Sequence, residues 1–317
     1  MDTPADTYQA GFARRWGHLR RAPVRALAWL LDAPDLLDIH DPHWEGRVAT
    51  LGPPTHDTAA WLARLDQDPT ALDAALGTRV HTRLGLYAEK LMAFYFAEQG
   101  SLLAHGLQVR AGRTETIGEF DFLLDDGAGG ALHIEFATKL YLLQPDARAG
   151  APDLGFDSFV GPNLADSLGR KMRKIFDRQL ALGAHPAAQD VVPRPVSRAQ
   201  ALVKGWLFYP AGSWKALAGI TTGHCRGFWC ALAELDTLDA DRFVLLPRLQ
   251  WLAPFQAQSA PEMLDRAQLK AALAAQFTLS GAPVLVATVR ETPGNIVEVA
   301  RGFIVPDDWR DRAGAIT

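Results

Sequence analysis

The sequence predicts an α/β fold, with a helical region before its core and a β-rich region after it. Two observations lead there. Between residues 82 and 209 the apolar pattern runs helix, strand, strand, strand, helix, strand, switching between a period near 3.6 and a period of two. The chain has 317 residues of near-average composition, 48% hydrophobic and 21% charged, which is ample for a buried core. That length suits one large domain or two ordinary ones, and the pattern divides it into a helical region (1–80), an α/β core (81–210) and a β-rich extension (211–317).

The elements follow in order. In the first region Val24, Leu27, Leu30 and Leu31 recur at helical spacings, with Pro34 and Pro42 as breaks. Arg14, Arg15, Arg20, Arg21 and Arg25 form a basic cluster that reads as a solvated face. RLGLYAEKLMAFYFAEQG places Leu84, Tyr87, Ala88, Leu91, Phe94 and Tyr95 on one stripe and stops at Gly100. LLAHGLQVR is a short strand. TETIGEFDFLLDDG is the clearest one, with Ile117, Phe120, Phe122 and Leu124 as its apolar side and DDG as its turn. In the return strand ALHIEFATKLYLL, Ile134, Phe136 and Leu140 share one face and His133, Glu135, Ala137 and Lys139 the other.

A loop rich in Pro, Gly and Asp (144–162) leads to a helix over 164–182, for which Asn163 is the expected N-cap, Asp166 the acid at N3 on the positive end of the dipole, and Gly183 the stop. Leu168, Met172, Ile175, Phe176 and Leu180 make its core stripe, while Arg170, Lys174 and Arg178 repeat every four residues on another face. LVKGWLFY is the next strand. Beyond it RGFWCALA, RFVLLPRLQW, PVLVATV and IVEVARGFIV read as strands, with one helix over 262–277.

Several functions are excluded by what is missing. No GxGxxG follows a strand and no GxxxxGK[ST] occurs, so a dinucleotide or P-loop nucleotide site is not expected. The acidic start MDTPADTYQA is no signal peptide, no apolar run approaches the roughly 18 residues of a membrane span, and two cysteines suit a reducing compartment. A cytoplasmic protein is expected. Cys225 and Cys230, with His224 adjacent, read as small buried thiols rather than a zinc site, and Trp206, Phe208, Trp229 and Trp251 as core rather than base-stacking platforms.

The chemistry concentrates on the hairpin 117–140. Glu119 and Asp121 are expected on one face of its first strand, and Glu135 and Lys139 on one face of its second. Buried, such acids are unfavourable, and a divalent cation relieves them. Mg²⁺ takes carboxylate oxygens, keeps several waters and draws its remaining ligands from phosphate. Asp121 and Glu135 are the candidate metal ligands, with the Phe136 carbonyl as a third oxygen. Lys139 is placed to orient a water or to neutralise charge on phosphoryl oxygens. Glu89, whose helical neighbours Gly85, Leu86, Met92 and Ala93 offer no charge partner, is aimed at the same site. The plain alternative is a sheet face in water, where Glu–Lys pairs are ordinary.

These residues resemble the PD-(D/E)XK nuclease superfamily, whose restriction-endonuclease-like core has the succession αβββαβ; the resemblance implies a mixed central sheet flanked by helices. More narrowly, LGLYAEKLMAFYF, GEFDFLL, HIEFATKLYLL, FVGPNLADSLGRKM and KGWLFYP together resemble an uncharacterised bacterial family of unknown function grouped with that superfamily. The resemblance puts Asp121 in the place of the motif aspartate, Glu135 in that of the second acid and Glu89 in that of the first-helix glutamate. Two positions depart from the pattern: Phe120 precedes the aspartate, and Ala137 stands where the acid-x-Lys lysine belongs, with Lys139 two residues on. The superfamily's second helix often supplies an extra Lys or Gln near the metal, for which Lys171, Lys174 and Gln179 are candidates.

Residues 164–204 hold eight Lys or Arg against three Asp, in a chain of net charge -4. That basic segment, through Arg170, Lys171, Lys174 and Arg178, suits a phosphodiester backbone. The expected function is Mg²⁺-dependent (or Mn²⁺-dependent) hydrolysis of nucleic acid, DNA by preference, by a protein that dimerises as nucleases of this core often do. The alternative is a catalytically inactive nuclease-fold protein that binds nucleic acid or a protein partner, which the Ala137 departure favours.

Overall fold

The apolar spacings of the N-terminal region form four helices: α1 (Tyr8–Trp16), α2 (Ala22–Asp32), α3 (His56–Gln67) and α4 (Thr70–Leu76). Thr7 and Thr55 cap α1 and α3, their hydroxyls accepting from the N–H groups of Ala10 and Thr58. The computed structural model describes residues 7–78, 81–112, 115–144, 155–258 and 263–315. Part of the loop expected over 144–162, residues 145–154, therefore lies outside the described residues.

The core follows as α5 (Leu84–Glu98), β1 (Leu102–Ala111), β2 (Glu115–Asp125), β3 (Ala131–Leu143), β4 (Phe159–Val160), α6 (Leu168–Lys174), α7 (Pro186–Gln189) and β5 (Val196–Pro210). Then come β6 (Cys225–Ala231), β7 (Phe243–Leu245), β8 (Gln256–Ala257), α8 (Arg266–Ser280), β9 (Val284–Thr292), β10 (Asn295–Val305) and α9 (Trp309–Gly314).

Among the described residues ten strands belong to one mixed sheet, ordered β1-β2-β3-β5-β6-β10-β9-β7, with β4 on β3 and β8 on β10. Its middle is parallel, β3 with β5, β5 with β6 and β6 with β10, and both ends are antiparallel. The β3–β5 pair is the longest, running from Ala131↔Val196 to Leu142↔Phe208. The strands after residue 210 thus extend the sheet begun by β1–β3. One face packs Phe122, Ile134, Phe136, Trp206 and Phe208 against α2 and α5. The other packs Ala137, Tyr141, Val203 and Leu207 against Leu168, Met172, Ile175 and Phe176. No helix among the described residues is long and apolar enough to cross a membrane.

Four local expectations are corrected. The helix expected over 164–182 begins later: Ser167, not Asn163, is the N-cap, its hydroxyl accepting from Arg170 N–H, and α6 then passes into a π-helical turn over Ile175–Gln179. Asp166 precedes that cap instead of occupying the first turn, because Leu164 takes a left-handed backbone (φ 60°) that no helix tolerates. RFVLLPRLQW is a strand only over Phe243–Leu245; Pro247 lacks the N–H for a ladder, and a 3₁₀ turn follows at Arg248–Gln250.

Arg25 is not on a solvated face. It is 6% exposed, and its guanidinium donates to the carbonyls of Trp16, Leu19 and Pro254, which replace its hydration. Finally, Phe120 and Phe122 do not share a face. Phe122 packs on Phe96 with ring centroids 5.2 Å apart, whereas Phe120 packs on His133 at 4.7 Å, in a separate cluster with Leu123 and Leu182. The β2–β3 ladder covers only Phe122 to Asp125, so the preceding residues are released from its pleat. Cys225, Cys230, Trp206, Phe208 and Trp229 are buried; Trp251 is only partly so.

Candidate active site at the β2–β3 divergence

The site forms where β2 leaves β3. The last paired residues are Phe122↔Ile134, and one step further Asp121 Oδ2 accepts a hydrogen bond from the backbone N–H of Phe136 at 2.9 Å. A side chain takes over where the ladder stops, which satisfies a donor that β2 no longer reaches. This fixes Asp121 beside Glu135, whose side chain is 1% exposed.

Burial raises the pKa of both acids. Asp121 is pushed up to about 8 by burial first, then by the charges of Glu135 and Glu89. Glu135 is pushed up to about 7 by burial, with Lys171 and Lys174 opposing. Two carboxyls so placed do not both ionise readily at neutral pH unless a cation joins them. Glu135 Oε2 is also buried without a hydrogen-bond partner.

The other oxygen of Glu135 is held from the facing helix. Gln179 Nε2 donates to Glu135 Oε1, and Gln179 Oε1 accepts from Lys171 Nζ at 3.4 Å. Lys171 is half-buried, its pKa lowered by burial against the pull of Glu135 and Asp121. Residues eight apart on an α-helix are turned about 80° from each other, whereas those seven apart lie within about 20°. The π turn between them takes up one extra residue, so Lys171 and Gln179 act as a seven-residue pair.

Glu89, on α5, is hydrogen-bonded to His105 of β1, Oε1 to Nε2 2.9 Å, and adds its charge to the surroundings of Asp121 and Glu135. His133 is wholly buried next to Glu135. Its Nε2 lies 3.7 Å from Glu135 Oε2, too far for a hydrogen bond, and neither ring nitrogen has a partner. Burial pushes its pKa down to about 4, so it is neutral at physiological pH.

Lys139 is engaged elsewhere. Its Nζ lies 3.2 Å from Asp166 Oδ2, the oxygen that also accepts from Tyr141 OH at 3.0 Å. Arg170, Lys174 and Arg178 are exposed on α6 and the π turn that follows it. Lys204, counted in the basic segment, is 2% exposed and ion-paired with Asp35 at 2.7 Å, so it presents no charge to a ligand.

Among the described residues no group of three or more His, Cys, Asp or Glu is placed to hold a metal. The two-carboxylate set nevertheless fits a hard cation that keeps several waters: both acids are buried, and one oxygen stands without a partner. Residues 25–305 match the family described as Domain of unknown function (DUF1853). The chain belongs to that family. No curated protein and no solved structure matches it.

In this DUF1853 chain the structure brings together Asp121, Glu135, Lys171 and Gln179, with Glu89 in electrostatic reach, and turns Lys139 to Asp166. Sequence reasoning missed His105 as the partner of Glu89, since it lies on β1, 16 residues further along the chain. It also missed Asp166 as the partner of Lys139, having placed it on a helix. The shared face of Lys171 and Gln179 was hidden by the π turn.

Proposed function

We propose that this protein hydrolyses phosphodiester bonds in nucleic acid, DNA by preference, with Mg²⁺ or Mn²⁺ held by Asp121 and Glu135. On this reading α5, β1–β3, α6 and β5 correspond to the αβββαβ core of a PD-(D/E)XK nuclease. The observation that carries it is the buried Asp121–Glu135 pair joined by Lys171 and Gln179 from the facing helix. The ion, when bound, lowers the pKa of a coordinated water and polarises the phosphorus centre.

The chain's own residues do the rest. The Phe136 N–H fixes one oxygen of Asp121, and the Gln179 amide fixes one oxygen of Glu135, so the ligand set is oriented before substrate arrives. Lys171, half-buried and close to both acids, supplies the positive charge that Ala137 cannot, neutralising charge that grows on the phosphoryl oxygens. Arg170, Lys174 and Arg178 face solvent beside it and suit flanking phosphates.

The test is calorimetric titration of Mg²⁺ and Mn²⁺ into wild type, Asp121→Asn and Glu135→Gln, with cleavage of DNA and RNA followed in parallel. Metal binding that both substitutions abolish, with cleavage lost alongside, supports the proposal; a wild type that binds neither ion even with DNA present overturns it. The engagement of Lys139 by Asp166 favours a second reading, a catalytically inactive nucleic-acid-binding protein. Salt-dependent DNA binding without any metal affinity would select it.

A further inference from the structure

His133 and Glu135 leave two buried polar atoms close to each other. The imidazole is wholly buried, and neither of its nitrogens has a hydrogen-bond partner. Glu135 Oε2 has none either, and it lies 3.7 Å from His133 Nε2. That is about 0.5 Å beyond a good hydrogen bond. The cross-strand neighbours of His133, Leu123 on β2 and Ala199 on β5, are apolar. Phe120 packs edge-to-face on the imidazole, with ring centroids 4.7 Å apart, which holds the ring in its orientation.

A neutral imidazole carries one N–H and one bare nitrogen, so the tautomer decides what Oε2 meets. With the proton on Nε2, an orphaned donor stands next to an orphaned acceptor. A small rotation of the carboxylate about its last torsion, which is soft, closes the gap and satisfies both. With the proton on Nδ1, two acceptors face each other and the buried N–H has no partner. The first arrangement is the favourable one.

We infer that His133 is a positioning residue for the metal site: its Nε2–H holds Glu135 Oε2 while the Gln179 amide holds Oε1, so that the carboxylate meets the ion already oriented. The role rests on the reading that Asp121 and Glu135 are the metal ligands. A carboxylate oxygen has two lone pairs, so Oε2 accepts the N–H and still reaches a cation. Hydrogen-bond partners behind a metal ligand typically set the affinity for the ion by about 10–100-fold.

The test is calorimetric titration of Mg²⁺ and Mn²⁺ into the full chain as wild type, His133→Phe and His133→Gln, with Asp121→Asn and Glu135→Gln alongside and circular dichroism confirming each fold. His133→Phe keeps a ring to pack on Phe120 and loses the donor; His133→Gln loses the ring and keeps an amide N–H. The first should weaken metal binding by about 10–100-fold and the second should stay within a few-fold of wild type. A packing role predicts the reverse order, and that order, or an equal loss in both variants, overturns the proposal. Metal binding that Asp121→Asn and Glu135→Gln abolish but His133→Phe leaves intact overturns the positioning role alone. A wild type that binds neither ion overturns the metal reading and this role with it. A second readout needs neither turnover nor a folded variant: long-range ¹H–¹⁵N correlation spectra of wild type should show His133 protonated at Nε2 and bare at Nδ1, both metal-free and with Mg²⁺. A proton on Nδ1 instead, in either state, overturns the role.

Discussion

Asp121 Oδ2 accepts the N–H of Phe136 at 2.9 Å, so a carboxylate oxygen completes the hydrogen bonding of β3 at the point where β2 departs. The same contact makes two substitutions at one position behave oppositely. Asp121→Asn keeps an oxygen acceptor for the N–H and removes an acid whose ionisation burial opposes. Asp121→Ala removes the acceptor and leaves the N–H unsatisfied, at a cost of about 1–3 kcal/mol. In metal-free buffer at pH 8, thermal melting should therefore place Asn above wild type and Ala below it, and both should lose any stabilisation by Mg²⁺.

The pH dependence of stability has a definite sign. The folded-state pKa values of Asp121 (about 8) and Glu135 (about 7) lie above their ordinary values of 3.8 and 4.5, so the folded state binds the extra protons. Their contribution is fully present below the ordinary carboxylate values and is lost as pH rises through 7 and 8. His133 and His224 act oppositely: burial lowers both to about 4 from 6.5, so their contribution grows with pH and is complete near 6.5. Between pH 6.5 and 8 the two acids dominate these shifts. Metal-free stability should fall there, by at most about 1.4 kcal/mol per pH unit per proton. Urea titrations across that window should show the fall in wild type and a flat profile in Asp121→Asn/Glu135→Gln.

Arg301 is the most fully engaged charge in the sheet. Its guanidinium is completely buried, donates to both oxygens of Glu298 at 2.7 Å and to the carbonyls of Trp251 and Ala253, and stacks 4.3 Å from the Trp206 ring centroid. Arg301→Met leaves Glu298 buried without its hydrogen-bonded counter-charge, with only the charge of Arg25 still acting on it, and should cost about 3–5 kcal/mol. Adding Glu298→Gln should recover part of the loss. Equilibrium unfolding of the single and double variants measures the coupling, and equal losses in both would show that packing on Trp206, not charge, carries the effect.

What could be read from the sequence was what periodicity encodes. The Leu84–Tyr95 stripe of α5 and the alternation of β3 depend on spacing alone, and so did the placement of Glu135 on the face of β3 opposite to Phe136. What could not be read depends on departures from a period. The slip between Phe120 and Phe122 follows from the end of a ladder, and the pairing of Lys171 with Gln179 from a π turn that no residue type marks. Arg25 and Lys204 were misjudged because charge was equated with exposure, whereas carbonyls and Asp35 replace their water. That Asp121 and Glu135 come together was legible because acids between apolar neighbours are costly without a partner, which is visible in sequence.

Which lysine serves the carboxylates is the sharpest remaining question, and the geometry answers for Lys171. Lys139 shares Asp166 with Tyr141 OH in a half-exposed cluster, and an ion pair of that exposure contributes no more than about 1 kcal/mol. Lys171 instead bridges through Gln179 to Glu135 and is the strongest charge lowering that acid's pKa. Removing it takes away the cation that opposes ionic repulsion at the site. Lys171→Met should therefore raise the pKa of Glu135 further, weaken Mg²⁺ binding and lower kcat by about two orders of magnitude. Lys139→Met should leave metal affinity unchanged and kcat within a few-fold of wild type. Titrating Glu135 by carboxyl ¹³C chemical shift in both variants separates the two lysines without recourse to turnover: a shift on Lys139→Met and none on Lys171→Met would return the role to the strand.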